Sequence, residues 1–480
     1  MAKTRTTPLT AVVPHSNNNI HHHHTQRQRQ PLSVLKSNNN SNDSNIDDIS
    51  NSDSTKASME TRGGASAAAA KTTAAPTKKM RITAFDSMRF VLCVMIVFGH
   101  FISFANPSTF WLKFFSQHNT VPVAAFFLLS GYVAAYTSTE NGQREPSAKL
   151  VQTPKPQWIL SRVFGYFPLH LLVLLLFSPM FIYTDLKYNG PWTSLKNGLL
   201  SATLTQAWFP MTAEIWNAPT WYLSALTFAT AIMPYALTIL AKQDKKELRR
   251  TAFWLWLTSF LPKLAYCHDL NVWTLAEGVT SPKMHPNMAL FNTQRFSPLY
   301  MVSEILLGAA ACRLVMLDGD ADASKTIKAP QVNVLSTLTP LVAILTVMGV
   351  RAAGLVDAND LLVRTGLVVP LVCRLFMSVH RAAVQGVKDP LTVILSNKVL
   401  VWLGNLAFPI YIVHGPIGQV FYKKLIATAL WGKVLKGPAY FALYLAVTTF
   451  SAFLLQKLFL QNKRVGQASK NAVNKLTSWM

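Results

Sequence analysis

Ten apolar segments, each about as long as a membrane is thick, follow one another from residue 86 onward. About 20 consecutive apolar residues cross the hydrocarbon core as a helix, which satisfies its own backbone polar groups. Short polar loops separate the segments, so the pattern predicts an all-α, polytopic membrane bundle of about ten transmembrane helices. The fifth segment is the weakest, because Pro262 and Lys263 interrupt it. The predicted spans are 86–106, 120–138, 159–183, 218–241, 250–267, 297–317, 333–353, 361–380, 399–424 and 436–460.

The two ends of the chain differ from this bundle. Residues 1–80 are rich in Asn, Ser, Thr, Gln and Ala and hold too few apolar residues for a core, which predicts a disordered, low-complexity tail. The membrane domain is then expected over 81–462, and 463–480 form a short basic tail. No apolar run follows the basic start of the chain, so no cleavable signal peptide is predicted.

Basic residues are unevenly distributed between the loops. The formal net charge of +24 would be typical of a nucleic-acid partner in a soluble protein, but half of this chain is hydrophobic and only 14% is charged. Loops on the N-terminal side, together with the C-terminal tail, carry 17 Lys and Arg residues, against 6 in the loops on the other side. The positive-inside rule therefore predicts that both termini are cytoplasmic. We expect the protein in a plasma membrane or endomembrane. Because orientation in the membrane explains the basic residues, no nucleic-acid partner is predicted. The four cysteines show neither metal spacing nor a disulfide framework, so no metal is predicted.

An acid, a guanidinium and an imidazole lie within the first span. Arg89 and His100 are eleven residues apart, so they fall within ~20° of one helix face with a rise of ~16 Å between them. Ionisable groups at membrane depth are expensive and suggest a functional site. The alternative is an arginine that snorkels at the helix end together with a packed histidine.

The predicted topology sorts the other polar residues of the spans by depth. Guanidinium groups near the cytoplasm suit a phosphate-bearing donor, and a histidine or glutamate further out suits general-base work on a hydroxyl. The inner group contains Arg89 and Arg162, and the outer group contains His100, Trp221, Arg295, Glu304 and His414.

Five stretches, in this order, resemble motifs of the membrane acyltransferase-3 family, whose members O-acetylate bacterial surface polysaccharides and Nod factors. The first resembles that family's first-span signature, an Asp and an Arg followed by a His eleven residues after the Arg. The chain departs from the family pattern at Gly165, Leu226 and Ala407, where a second Arg, a Glu and a Ser are common. The five stretches are 85–100, 125–132, 162–170, 219–224 and 403–416.

The resemblance implies an O-acyltransferase that moves an acyl group, acetyl foremost, from acyl-CoA to a hydroxyl of a glycan, lipid or other acceptor. His100 inherits the catalytic role, as general base or transient acyl carrier, with Glu304 and His414 as further catalytic candidates. Arg89 and Arg162 would hold the phosphates of CoA.

Each remaining candidate has a structural alternative. Asp86 pairs with Arg89 near the donor or simply begins the helix. Ser130 lines the acceptor site or, with Gly131, serves close helix packing. Trp221 lines the acceptor site or belongs to an aromatic belt. Arg295 is the third residue expected to contact the substrate, and Glu304 could instead pair structurally with an arginine.

Two function classes without catalysis compete with this reading. A transporter would suit ten spans with internal charges, but it predicts an inverted repeat, and the Arg-to-His signature has no counterpart in spans six to ten. A receptor-like relative that has lost catalysis is the other, and the presence of both His100 and Arg89 argues against it.

Overall fold

The computed structural model describes residues 80–139, 155–274, 285–320, 333 and 335–479, and over these residues the fold is all-helical. Apart from residue 80, the predicted disordered tail lies outside the described residues. The α-helices, in chain order, are α1 (Thr83–Phe101), α2 (Thr109–Ser116), α3 (Thr120–Ser138), α4 (Lys155–Val163), α5 (Phe167–Tyr188), α6 (Pro191–Ala202), α7 (Trp221–Lys242), α8 (Lys245–Leu270), α9 (Met288–Phe296), α10 (Pro298–Met316), α11 (Leu338–Ala352), α12 (Asp360–Val363), α13 (Val369–Gln385), α14 (Pro390–Leu395), α15 (Lys398–Gly404), α16 (Ala407–Tyr422), α17 (Lys424–Trp431), α18 (Pro438–Leu455) and α19 (Lys463–Thr477). Two π-helical turns, Arg364–Val368 and Gln456–Leu460, continue α12 and α18, and 3-10 turns lie at Ile102–Ala105, Gln206–Trp208, Pro210–Thr212, Ala218–Thr220 and Leu317–Asp320.

Helices occupy all ten of the predicted spans. In the described part of the chain, seven stretches are long and apolar enough to cross a membrane, and they match predicted spans one to four, six, eight and ten. Helices α15 and α16 together make an eighth such stretch, at predicted span nine, with a bend of 56° between them. The other two predicted spans are α8, which is too polar to meet the same criterion, and α11, which is only 15 residues long. The seven stretches are Thr83–Ala105, Thr109–Ser138, Lys155–Tyr188, Ala218–Lys242, Met288–Met316, Asp360–Gln385 and Pro438–Leu460.

Helix α8 runs antiparallel to α10 along its whole length. At one end Lys245 forms an ion pair of 3.2 Å with Asp318, and at the other the ring of Tyr266 stacks near that of Phe291 in α9. Since α9 and α10 together form one of the seven apolar stretches, α8 crosses the same thickness despite its polar residues. Lys263 is fully buried, and its ammonium group donates to the backbone oxygen of Ser259 at 2.8 Å, inside the bundle.

Contacts between loops divide the loops into two groups. On one side, Asp318 accepts from Arg381 at 2.8 Å, in addition to its ion pair with Lys245. On the other, Asn359 donates to the backbone of Val272 at 2.8 Å. These contacts join only loops that the sequence places on the same side of the membrane.

Helix α11 connects the two groups of loops. Thr337, before its first turn, donates to Asp389, and Arg351, in its last turn, pairs with Asp360 and lies 2.9 Å from Nε2 of His118. A 15-residue helix rises ~22 Å, so α11 passes between the two loop groups although it is short for a membrane span.

Helices α3 and α10 approach each other closely through two glycines. A Cβ on Gly131 would lie 1.7 Å from the carbonyl oxygen of Ile305, and one on Gly308 would lie 2.0 Å from that of Leu128. Small residues at such crossings let two backbones pack in van der Waals contact. This explains the Ser-Gly pair of the second span, for which packing was one of the two interpretations.

Two hydrophobic clusters flank the centre of the bundle. One is built mainly from α3, α7, α10 and α13, and the other from α1, α5, α16 and α18. Val123, Tyr222 and Leu226 pack against both clusters. The same three residues line a cavity between the clusters.

Candidate functional site

The main cavity has a volume of about 510 Å³. Its walls come from α1, α3, α7, α9, the π-helical turn after α12, and the break between α15 and α16. Arg89, His100, Trp221 and Arg295, all named from the sequence, line it. Arg89 and His100 therefore face one cavity from different depths, as their spacing predicted.

A smaller cavity of about 240 Å³ adjoins the first on the inner side. Arg162 and Ser130 line it, and Arg89 belongs to the walls of both cavities. Phe126 and Tyr166 are also shared between them. The two cavities thus meet at Arg89, and together they extend from the inner arginines to His100.

His100 and His414 form a hydrogen-bonded pair. Nδ1 of His100 lies 3.0 Å from Nε2 of His414, and the two rings are nearly parallel, with an interplanar angle of 6° and centroids 5.3 Å apart. Nδ1 of His414 lies 2.7 Å from the carbonyl oxygen of Tyr411, which can only accept. With both rings neutral, His414 carries its hydrogen on Nδ1 and accepts on Nε2, so His100 donates from Nδ1. Nε2 of His100 is then left with a free lone pair, as a proton acceptor must be.

Only one of the two histidines reaches the cavity. His100 is exposed to it at the end of α1, whereas His414 is fully buried behind it in α16. The arrangement places one imidazole in contact with anything the cavity holds and uses the other to orient it.

A proline fixes the loop before α7 against α16. Pro416 has no N–H, so the carbonyl oxygen of Ile412, four residues earlier, loses its helical partner. Nδ2 of Asn217 donates to that oxygen at 2.9 Å. Gly415 allows the approach, because a Cβ there would lie 2.9 Å from Oδ1 of Asn217. The loop that leads to Trp221 is in this way held against α16 at residues on either side of His414.

The inner arginines differ in their partners. Arg89 donates to Asp86 at 2.5 Å, the pairing expected three residues apart on a helix, and Asp86 also accepts from Arg81 at 2.9 Å. Arg162 donates to Thr137 at 2.9 Å and to Ser138 at 3.3 Å. Asp86 does not line either cavity, so its contact is with Arg89 rather than with a ligand.

The outer mouth of the cavity carries an ion pair and aromatic rings. Arg295 lies 3.7 Å from Glu214 and over the ring of Phe296, 4.4 Å from its centroid. Trp221 meets the same phenylalanine edge to face, with ring centroids 4.8 Å apart. Both Trp221 and Arg295 thus belong to the wall of the cavity, which favours the substrate role for Trp221 over a position in an aromatic belt.

Ser130 faces inward rather than towards His100. Its hydroxyl donates to the backbone of Phe126 at 2.8 Å and lies 3.0 Å from the hydroxyl of Tyr222. Since Tyr222 lines the main cavity and Ser130 the smaller one, this contact sits where the two cavities meet.

Residues 82–457 match the family model of the acyltransferase-3 domain, Acyl_transf_3, described as an acyltransferase domain. The chain belongs to the acyltransferase-3 family. Comparisons with curated proteins and with solved structures found no match. The family and the apolar helices together make this chain a membrane acyltransferase, as the five motifs predicted.

The structure of this acyltransferase places Glu304 behind the cavity wall. Glu304 is fully buried, forms an ion pair with Arg364 and accepts from the hydroxyl of Ser259 at 3.2 Å. It does not line the cavity, which favours its structural interpretation.

Arg364, which belongs to none of the five motifs, is the residue that faces the cavity in place of Glu304. The available signal was an arginine at the fourth position of the predicted eighth span. Asn217 also lies outside the five motifs, although a proline in mid-span, Pro416, indicates a free carbonyl oxygen that needs a donor.

Proposed function

We propose that this acyltransferase transfers an acyl group, acetyl foremost, from acyl-CoA to a hydroxyl of an acceptor. The acceptor enters the main cavity from the side of the membrane opposite to acyl-CoA. One observation carries the proposal: a pair of adjoining cavities leads from two arginines to a histidine whose free nitrogen is set by a second, buried histidine.

The distance between Arg89 and His100 along α1 supports an acyl-CoA donor. Arg89 and His100 are eleven helical residues apart, which is a rise of ~16 Å. The phosphopantetheine arm of CoA has about 13 chain bonds from phosphorus to sulfur, equivalent to roughly four extended residues or ~14 Å. A phosphate held by the Arg89 guanidinium would therefore bring the thioester close to His100.

The electrostatics of the inner end support the same donor. Among the described residues, Arg162 donates to neutral hydroxyls and not to a carboxylate, and Arg89 shares Asp86 with Arg81. Guanidinium groups bind phosphate bidentately, and a charge not already neutralised binds it most strongly. The inner end thus suits the phosphates of CoA, and the outer end, with Glu214 beside Arg295, does not.

The His100–His414 dyad suits general-base transfer. Nε2 of His100 accepts the proton of the acceptor hydroxyl as its oxygen attacks the thioester carbonyl carbon. The tetrahedral adduct collapses, the carbon–sulfur bond breaks, and the imidazolium returns the proton to the departing thiolate. The products are the O-acyl ester and free CoA. The alternative, in which Nε2 carries the acyl group transiently, uses the same lone pair.

Orientation follows from the charge of the loops. The loop group that contains Lys245 and Arg381 is the more basic one, which supports a cytoplasmic location for it, for the inner arginines and for both termini. Acyl-CoA would then enter from the cytoplasm and the acceptor from the lumenal or extracellular side.

Membranes that contain the protein, incubated with labelled acetyl-CoA, test the proposal when the labelled product is extracted and identified. His100→Ala should lower incorporation by ~10²-fold or more, since general-base catalysis contributes about that much. His268→Ala is the control, because the His268 side chain is 78% exposed at the end of α8, away from the cavity. A wild-type protein that leaves acetyl-CoA unconsumed in the presence of its native membrane extract would refute the activity.

A further inference from the structure

Arg364 is held in the cavity wall by an arrangement that helix formation alone does not require. Its side chain is 3% exposed, and its ion pair with Glu304 uses Nη2. Behind Glu304 lie Ser259 and Lys263, linked by further hydrogen bonds. Buried charges are costly unless they are paired, so this network keeps a guanidinium charged inside the membrane domain.

Part of that guanidinium has no hydrogen-bond partner among the described residues. Nε of Arg364 is buried without a hydrogen-bond partner, as is Nε of Arg351. The two arginines differ at Nη1, because the hydrogen bonds among the described residues use both Nη1 and Nη2 of Arg351 but only Nη2 of Arg364. A buried donor without a partner costs free energy, and such exceptions in a folded protein call for an explanation. A ligand oxygen in the cavity supplies one.

The backbone at Arg364 is also unusual. The π-helical turn Arg364–Val368 begins at this residue. Single π-helical turns inside α-helices are rare and are often found at functional sites. The turn leaves the carbonyl oxygen of Thr365 to accept from the indole of Trp256 at 2.9 Å, so it is fixed in place by a side chain from α8.

Contacts set the depth of Arg364 relative to His100. Asn119 packs against Gly99, the residue next to His100. A Cβ on Gly99 would lie only 2.5 Å from Oδ1 of Asn119. The preceding residue, His118, lies 2.9 Å from Arg351, which pairs with Asp360. The level of Asp360 is thus close to the level of His100.

Arg364 follows Asp360 by four residues, which is one turn or ~6 Å deeper along the helix. It therefore lines the same cavity as His100 from another helix, one turn towards the arginines of the inner end. In the proposed reaction the thioester arrives from that end, and the acceptor hydroxyl lies on the side of His100.

We propose that Arg364 is a further catalytic residue, which donates to the thioester carbonyl oxygen and stabilises the negative charge that develops on it. This inference rests on the proposed acyl transfer. When the acceptor oxygen attacks the carbonyl carbon, the carbonyl π pair moves onto oxygen, and it returns when the carbon–sulfur bond breaks. A fixed guanidinium in a poorly solvated cavity lowers the energy of that adduct without reorganisation.

The chain offers a matched control for the test. Arg351 forms the other buried arginine–carboxylate pair near α12, with 5% and 1% of the Arg351 and Asp360 side chains exposed, and it does not line the cavity. Arg364→Lys and Arg351→Lys both shorten a buried cation opposite a carboxylate. They differ in whether the cation reaches the substrate.

Each variant, in native membranes, is assayed for acetyl transfer from acetyl-CoA and from difluoroacetyl-CoA, whose adduct needs less stabilisation. Arg364→Lys should lower kcat for acetyl transfer by ~10²-fold with KM for acetyl-CoA within a few-fold of wild type. The loss should shrink at least several-fold with the fluorinated donor. Arg351→Lys should show equal relative rates with the two donors.

Three outcomes would overturn the inference. A loss in Arg364→Lys that is the same for both donors assigns the residue a structural role. Equal losses in Arg364→Lys and Arg351→Lys do so too. An active Arg364→Lys, with kcat near wild type, removes it from the reaction. In each of these cases the wild type still transfers acetyl and the proposed function stands, whereas an inactive wild type refutes both.

Discussion

Removing His414 should impair catalysis without removing the base. In His414→Ala, the Nδ1–H of His100 loses its acceptor, Nε2 of His414 at 3.0 Å, beside the ring of Phe101, which packs edge-on against both imidazoles. An unsatisfied donor of this kind costs ~1–3 kcal/mol, and the ring is free to turn or to change tautomer. Since each 1.36 kcal/mol is tenfold in rate, kcat should fall by ~5- to 150-fold.

The pairing predicts how variants combine. His100→Ala should cost ~10²-fold or more. Adding His414→Ala to it should cost nothing further, because residues that act as one unit are not additive. His414→Gln should retain more activity than His414→Ala, because an amide oxygen can accept from Nδ1–H.

The assay is initial-rate acetyl transfer in membranes with matched expression, and Tyr444→Phe is the control. The Tyr444 hydroxyl donates to the backbone oxygen of His414 at 3.1 Å, so its loss loosens α16 but leaves the dyad intact. Its kcat should stay near wild type. Losses that add in the His100→Ala/His414→Ala double variant, or a His414→Ala protein as fast as wild type, would refute the orienting role.

Three further predictions follow from the site, the packing and the topology. Arg89→Lys keeps the charge but loses the planar fork, so isothermal titration with CoA should show weaker binding, and weaker still in Arg89→Ala; unchanged affinity would make this arginine a snorkelling anchor. Gly131→Ala forces a Cβ to within 1.7 Å of a backbone oxygen of α10 and should cost ~1–3 kcal/mol, seen as a lower unfolding temperature; Gly466→Ala, with nothing within 4 Å, should leave that temperature unchanged or higher. In a background without the native cysteines, Asp269→Cys should react with an impermeant reagent only from the lumenal or extracellular side, and Lys246→Cys only from the cytoplasm; the reverse pattern would invert the orientation.

Hydropathy and helix periodicity accounted for most of the architecture. Every predicted span proved helical, because an apolar run of that length has few alternatives in a membrane. The fifth span looked weak because hydropathy counts each charge as exposed, whereas the ammonium group of Lys263 bonds to Ser259 inside the bundle. The break in the ninth span, between α15 and α16, has no hydropathy signal; it arises where Gly404 packs against the backbone of Asp86, with room for no Cβ.

Within the candidate site, the positions that depend on one helix were predictable and those that depend on two were not. The shared face of Arg89 and His100 follows from a spacing of eleven residues. The contact of His100 with His414 joins residues 314 positions apart, which no periodicity encodes. Glu304 was identified as an ionisable residue in a span, but only the packing of α10 against the π-helical turn shows that Arg364 stands between it and the cavity.

The polarity of the cavity bears on the direction of transfer independently of the loop count. At one end Arg162 has neutral hydrogen-bond partners among the described residues, and at the other Arg295 has Glu214. A polyanionic donor is therefore favoured at the Arg162 end whichever side of the membrane that end faces. In the proposed reaction acyl-CoA comes from the cytoplasm, so the Arg162 end of the cavity and the basic loops must lie on the same side of the membrane. The cysteine-labelling experiment tests that agreement: if Lys246→Cys labels only from the outside, the arginine end faces away from the donor, and transfer across the membrane from acyl-CoA to an outer hydroxyl is refuted.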